Sequence, residues 1–200
     1  MTGWIKICGM TTVEAVNAAL QAGVDAIGFV FAPSPRRVSP ERAAELARTV
    51  RQQLTCVAVT QHPGQQEIDA IVQEFHPDLL QTDIDDLARL HLPRRLARLP
   101  VVRAPDAPLA DYPVRILYEG ARSGSGEAGD WAQAAALARQ TRLVLAGGLH
   151  AGNVAAAIRA VRPFGVDTSS GVETRPGLKS ADKISEFVQA ARRAFGEIEA

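Results

Sequence analysis

Short apolar runs separated by amphipathic stretches set the rhythm of this 200-residue chain. Eight of the runs favour strands: Trp4–Cys8, Ala26–Phe31, Thr55–Thr60, Pro77–Gln81, Pro100–Arg103, Val114–Glu119, Arg142–Ala146 and Phe164–Thr168. Between most pairs, apolar residues recur at i, i+3, i+4 and i+7, as in Ile68, Ile71, Val72 and Phe75, or in Val154, Ala157, Ile158 and Val161. That spacing lines one face of an α-helix. Helix starts are marked as well. Thr11-Thr12-Val13-Glu14 reads as a capping box built on Thr11 and Glu14, and Ser39-Pro40 as an N-cap followed by proline at the first helical position. A last helix is expected from Ser180 to about Phe195, with Ile184, Phe187, Val188, Ala191 and Phe195 on one side.

Strands that are nearly continuous in apolar residues and alternate with helices predict a parallel sheet covered by helices. Eight such units, at about 25 residues each, predict an α/β fold: one single-domain (β/α)8 TIM barrel over residues 1–200, below the roughly 250 residues typical of that architecture. The alternative, an open doubly wound sheet, requires fewer strands or a second domain. The fifth unit is the irregular one. Ala104–Pro113 carries three prolines in ten residues, so its helix is expected to be short or missing. No linker, low-complexity tract or charge run divides the chain.

Barrels of this kind place their chemistry where the strands run out at their C-terminal ends. Cys8, Arg36, Gln81, Asp83, Arg103, Glu119, Gly147-Gly148 and Asp167–Gly171 all fall there. Gly147-Gly148 precedes a helix expected near Ala151, and Ser169-Ser170-Gly171 follows the eighth strand. Small residues let backbone N–H groups approach an anion, and this fold often binds phosphate after its seventh and eighth strands. These five residues are therefore assigned to a phosphate. Cys8 reads either as a packed thiol or, at a strand end before a glycine turn, as a reactive one; Cys56, inside a strand, reads as core. Glu119, beside the glycine-rich segment 120–126, is either a general acid under a lid or a strand-end partner of Arg122. Arg36 sits in a proline-stiffened loop suited to a carboxylate or phosphate, while neighbouring Arg37 reads as a solvated charge. Gln81, Arg103 and Asp167 share the rim and are assigned to substrate binding.

Composition narrows the class of partner. Lys+Arg and Asp+Glu each number 22, so the overall field gives no reason to expect nucleic acid or an anionic membrane surface. Two cysteines make no disulfide framework, and no apolar run reaches about 18 residues, which points to the cytoplasm. His62, His76, His91 and His150 lack ligand spacing, so no metal site is expected. Asp83, Asp85 and Asp86 read as an N-cap and acidic first turn rather than as a cation site.

Taken together, "KICGMT" at 6–11, "GVDAIGFVFAPSPRRVSPE" at 23–41, "GSGEAGDW" at 124–131, "LAGGLHAGNV" at 145–154 and "RPFGVDTSSGVETRPGLKS" at 162–180 resemble the phosphoribosylanthranilate isomerase family. The resemblance implies a (β/α)8 enzyme of tryptophan biosynthesis. Its reaction is the Amadori rearrangement of N-(5-phosphoribosyl)anthranilate, without cofactor or metal, in a monomer or homodimer. Cys8 matches the family's general base, which removes the ribose C2 proton. Glu119 stands where the family has an aspartate, the general acid at the ring oxygen. Arg36 matches the residue on the anthranilate side, and Gly147, Gly148, Ser169, Ser170 and Gly171 match the phosphate cradle. Two motifs depart from the family. Its "QLHG" is reduced to Gln81 in Gln81-Thr-Asp-Ile84, and its "VGVFVN" reads Cys56-Val-Ala-Val-Thr-Gln61. A related isomerase of histidine biosynthesis, which usually relies on paired aspartates, and a phosphosugar-binding barrel without activity are the alternatives.

Overall fold

The structure is a computed structural model that describes residues 3–103, 114–119 and 131–199. The expected short fifth helix, the glycine-rich segment after Glu119 and Arg122 lie outside the described residues.

Eight parallel strands close into a barrel: β1 (Trp4–Cys8), β2 (Ala26–Val30), β3 (Thr55–Val59), β4 (Leu79–Asp83), β5 (Ala97–Val102), β6 (Arg115–Glu119), β7 (Arg142–Ala146) and β8 (Gly165–Thr168). Closure comes from β1 pairing with β8, Trp4 opposite Gly165 and Ile7 opposite Thr168. Among the described residues, the helices are α1 (Val13–Ala22), α2 (Pro40–Ala47), α3 (Gln65–Ala70), α4 (Ile84–Leu87), α5 (Trp131–Ala138), α6 (Val154–Val161) and α7 (Ala181–Glu199). A π-helical turn, Ile71–Phe75, continues α3. No helix among the described residues is long and apolar enough to cross a membrane.

Because side chains alternate across a strand, each strand feeds two cores. Outward residues such as Ile5, Ile7, Ile27, Phe29, Leu143 and Leu145 pack against the helices. Inward ones, among them Ala26, Val57, Leu79, Leu99, Leu117 and Val144, fill the barrel itself. At the N-terminal end the barrel is stoppered by rings and guanidinium groups. Trp4 stacks on Phe164 with centroids 6.4 Å apart, and Arg142 lies 3.9 Å over the Phe164 ring. Phe29 shows how the outer core is locked: it is fully buried and meets Phe75 of the π-helical turn edge to face at 5.1 Å. Phe29→Ala removes that ring from a site that cannot collapse fully, and is expected to cost about 3–5 kcal/mol in the urea unfolding free energy.

Several boundaries differ from those the sequence predicts. The cap of α1 is Thr12, whose hydroxyl accepts from Ala15 N; Thr11 instead donates its hydroxyl to the Gly177 carbonyl. Ser39 caps α2 as expected, accepting from Arg42 N with Pro40 at the first helical position. β4 begins two residues later than the apolar run and extends to Asp83. Pro77 has no N–H to give a ladder, and Asp78 uses its carboxylate to accept from Cys56 N at 2.8 Å. β5 starts earlier, at Ala97, since the polar Arg98 still pairs with Leu80. α6 begins at Val154, after a turn in which the His150 carbonyl accepts from both Asn153 and Val154.

One element had no counterpart in the expected pattern. A short antiparallel hairpin, β9 (Glu173–Arg175) and β10 (Leu178–Lys179), turns through Pro176-Gly177 and lies across the C-terminal mouth near β1. Gly177 takes the left-handed conformation, φ +82°.

Candidate active site

Barrel parity explains why reactive residues share one space. On β1, Ile5 and Ile7 face outward, leaving Lys6 and Cys8 to point inward one pleat apart. The same parity turns Gln81 and Asp83 of β4, Glu119 of β6 and Asp167 of β8 toward the axis. Lys6 is completely buried, and its Nζ donates to Asp167 Oδ1 at 2.8 Å. Burial opposes its charge, but Asp167 and Cys8 outweigh that and hold its pKa above the usual lysine value. For Cys8, burial pushes the thiol up while Lys6 pulls the other way. Cys56 is core, as expected; burial raises its thiol to about 11.

The hairpin adds a second charged group beside Cys8. Glu173 accepts both arms of Arg36, Nε to Oε1 and Nη2 to Oε2, each at 2.7 Å. Lys179 Nζ donates to Glu173 Oε1 at 2.8 Å and to the Ser169 carbonyl at 2.9 Å. Ser169 in turn donates its hydroxyl to the Cys8 carbonyl at 3.0 Å. Arg36 is thus a positioned guanidinium rather than a free one, with one edge committed to Glu173. Burial works against the Glu173 carboxylate, but bonds from Arg36 and Lys179 bring it below its ordinary range. Burial dominates at Lys179 and lowers its pKa against the pull of Glu173.

The expected phosphate residues converge. A cavity of about 190 Å³ is lined by Gly147, Gly148, Ser169 and Ser170 together with Arg36, Glu119 and Asp167. Gly147 and Gly148 both have left-handed φ, +93° and +64°, which turns the chain sharply out of β7. Asn153 fixes that turn, donating to the Gly148 carbonyl at 2.9 Å and accepting from His150 N at 2.8 Å. After β8 the chain makes a single 3-10 turn, Ser170–Val172. Gly171 is packed so tightly there that a Cβ would lie 2.0 Å from the Leu149 carbonyl oxygen and 2.9 Å from Thr168 Oγ1. Gly171→Ala must displace this backbone. Affinity for inorganic phosphate, read by calorimetry, is expected to fall at least about tenfold, the equivalent of losing one or two charge-assisted hydrogen bonds.

Across the mouth stands a second network. Arg103, directly after β5, pairs with Asp83 and approaches Glu119 Oε2 at 3.8 Å. Asp83 and Asp86 open α4 as expected, but Asp83 gives no cap bond and Asp86 is buried. His62 joins them, which histidine spacing did not reveal. Its backbone N–H and Nδ1 meet Asp86 at 2.9 and 3.1 Å, and its Nε2 lies 3.8 Å from Asp83 Oδ2. Although His62, Asp83 and Asp86 have atoms within 4.8 Å of one another, Arg89 and Arg103 already neutralise the two carboxylates, so the group reads as an ion-pair network. Burial opposes the Asp86 charge, yet bonds from His62, Thr82 and Arg89 keep its pKa low. Gln81 is buried on β4, and its Oε1 has no hydrogen-bond partner among the described residues.

Arg36, Glu119, Asp167, Gly147, Gly148, Ser169 and Ser170 therefore line one cavity, with Arg103 reaching Glu119 and Gln81 deeper on the β4 side. Cys8 and Gly171 are not among its lining residues; Cys8 joins it through the Ser169 hydroxyl, and Gly171 through its packing on Leu149 and Thr168. Lys6, Glu173 and Lys179 were missed. A lysine in the middle of an apolar strand and the Pro176-Gly177 turn after β8 were the signals that pointed to them.

A closed eight-stranded parallel barrel that gathers a carboxyl and the Gly/Ser turns after β7 and β8 at its C-terminal mouth has the architecture of the (β/α)8 enzymes, in which phosphate often binds at those two turns. Residues 5–190 match the family described as N-(5'phosphoribosyl)anthranilate (PRA) isomerase, and the chain belongs to that family. It is 39% identical to the N-(5'-phosphoribosyl)anthranilate isomerase of Rhodopseudomonas palustris (strain ATCC BAA-98 / CGA009), across 97% of this chain and all of that one. Phosphoribosyl anthranilate isomerase from Thermotoga maritima superposes with a TM-score of 0.84 at 31% identity, covering 96% of this chain and 99% of that one. A phosphoribosyl anthranilate isomerase solved with reduced 1-(o-carboxyphenylamino)-1-deoxyribulose 5-phosphate superposes at 0.81, with 30% identity and the same coverage.

Proposed function

We propose that this chain, acting as one catalytic domain, converts N-(5-phosphoribosyl)anthranilate to 1-(2-carboxyphenylamino)-1-deoxyribulose 5-phosphate in tryptophan biosynthesis. The observation that carries the reading is the placement of Cys8 on β1 and Glu119 on β6 at one barrel mouth. There Glu119 shares its cavity with the glycine and serine residues after β7 and β8. A relative bound to a reduced form of that product supports the choice of substrate.

The chemistry needs one acid, one base and no external oxidant. Glu119 donates a proton to the furanose ring oxygen as the C1–O bond breaks, and the anilino nitrogen lone pair closes a C1=N bond. Cys8, as thiolate, takes the proton from C2. The C–H electron pair forms C1=C2 and the nitrogen recovers its lone pair. Tautomerisation then places the proton on C1 and the carbonyl at C2, so that C1 is reduced as C2 is oxidised. Gly147, Gly148, Ser169, Ser170 and Gly171 hold the phosphate. Arg36, oriented by Glu173, faces the anthranilate carboxylate, while Gln81, Arg103 and Asp167 complete the substrate contacts. Holding the sugar by its phosphate is what keeps C2 near one group and the ring oxygen near the other.

Adding purified protein to N-(5-phosphoribosyl)anthranilate is expected to abolish the anthranilate fluorescence with saturable kinetics, and the corresponding aminoimidazole carboxamide substrate of histidine biosynthesis is expected to be untouched. No turnover of the first, or faster turnover of the second, overturns the reading.

A further inference from the structure

We propose that Lys6 is the positioning residue for proton transfer at Cys8: its buried ammonium, anchored by Asp167, is the counter-charge that holds the thiolate in the space left open by Gly28. This rests on the assignment of Cys8 as the base. Lys6 and Cys8 are inward neighbours on one strand, and both lie opposite β2, where Lys6 pairs with Ala26 and Cys8 with Gly28. A Cβ at Gly28 would sit 3.0 Å from Cys8 Sγ and 3.1 Å from Lys6 Cε, which brings the sulfur and the end of the lysine to the same small space beside β2. Little solvent screens the two, since Lys6 has no exposed surface and Cys8 almost none. In such surroundings opposite charges interact far more strongly than in solvent. Asp167 accepts one bond from Nζ, and an ammonium has three donors, so the capacity to face a second anion remains.

The other charged groups near Cys8 do not take this part as directly. Lys179, on β10, gives its hydrogen bonds to Glu173 and Ser169. Arg36, in the loop after β2, has its Nε–Nη2 edge engaged by Glu173. Asp167, on β8, has its pKa raised by burial against the pull of Lys6; in its ionised form it disfavours a second anion beside it, and pairing with Lys6 is what lets both stand inside the barrel. Lys6 alone shares a strand face with the sulfur. Burial raising the Cys8 thiol is consistent with the need for a cation there.

The test reads the thiol without substrate. In a Cys56→Ala background, the rate of Cys8 alkylation by iodoacetamide is followed against pH for the parent, Lys6→Met and Gly28→Ala. Lys6→Met removes the cation, and the abandoned Asp167 carboxyl is free to protonate. The alkylation midpoint is expected to rise by about one unit or more, within the range for losing an opposite charge at close quarters. The kcat/KM at pH 7 should fall at least about tenfold and recover as pH is raised, a pattern that a merely structural role would not give. Gly28→Ala keeps both charges but crowds a methyl against the sulfur and the lysine Cε alike, forcing them to shift, and its midpoint should move in the same direction. If Lys6→Met fails to fold by circular dichroism, Gly28→Ala decides. An unmoved midpoint in a folded variant overturns the role of Lys6. The separate failure, a Cys8→Ala enzyme that still turns over, overturns the base assignment while leaving the thiol titration intact.

Discussion

Cys8→Ala is expected to lower kcat for N-(5-phosphoribosyl)anthranilate by at least about two orders of magnitude while phosphate binding stays within a few-fold of the parent. The reasoning is local. Removing the thiol deletes the group proposed to take the C2 proton, yet Cys8 makes none of the backbone turns of the proposed phosphate cradle; those depend on Gly147, Gly148, Asn153 and Gly171. The loss should therefore appear in kcat and kcat/KM alike. A pH signature accompanies it. The reactive form is the thiolate, and burial holds the thiol pKa above its ordinary value, so below that pKa the active fraction rises tenfold with each pH unit. Wherever Glu119 keeps its proton, the parent kcat/KM should climb with pH, and the Cys8→Ala residual should lack the Cys8 limb. A Cys8→Ala residual with the parent's pH profile would contradict a thiolate base.

Glu119→Ala carries the second large effect, again at least about two orders of magnitude in kcat. Glu119 closes β6, half-buried, lining the cavity opposite the Gly/Ser cradle. Arg103 approaches it at 3.8 Å, and Arg103 is itself tied to Asp83. This is a carboxyl positioned from behind by a fixed cation, suited to meet the ring oxygen from the β6 side. Glu119→Gln keeps the shape and removes the donor, so it should be nearly as damaging as Ala. Glu119→Asp keeps the donor on a shorter arm and should retain substantially more activity than either. If Gln matched the parent, the carboxyl would not be the acid.

How much of this was legible in the chain follows from the physics of each element. The eight strands announce themselves because parallel barrel strands are buried on both faces, and runs such as Ala26–Val30 have nothing polar to dilute them. The ends of β4 and β5 were misplaced because polar residues there, Thr82, Asp83 and Arg98, are part of the ladder and do not look like strand. The site residues stood out where a reactive type coincided with a strand end, as at Cys8 and Glu119. Pairing was invisible. That Arg36 is clamped by Glu173 depends on a hairpin of only a few residues folding back 137 positions along the chain. That His62 leans on Asp86 depends on β3 and β4 being neighbours with their ends level. Lys6 was the hardest to see, since a lysine in a strand is ordinarily at the surface, and only closure of β1 against β8 supplies the Asp167 that lets it stand inside.

The most direct test is a crystal structure of the Glu119→Gln variant with the reduced product analogue bound. The account predicts phosphate oxygens on the amides around Gly148 and Ser170, Cys8 Sγ about 3–3.5 Å from the sugar carbon C2, and the residue-119 side chain toward the ring-oxygen position on the opposite side. A sulfur lying well beyond contact with that carbon, with the phosphate still seated in its cradle, would contradict it.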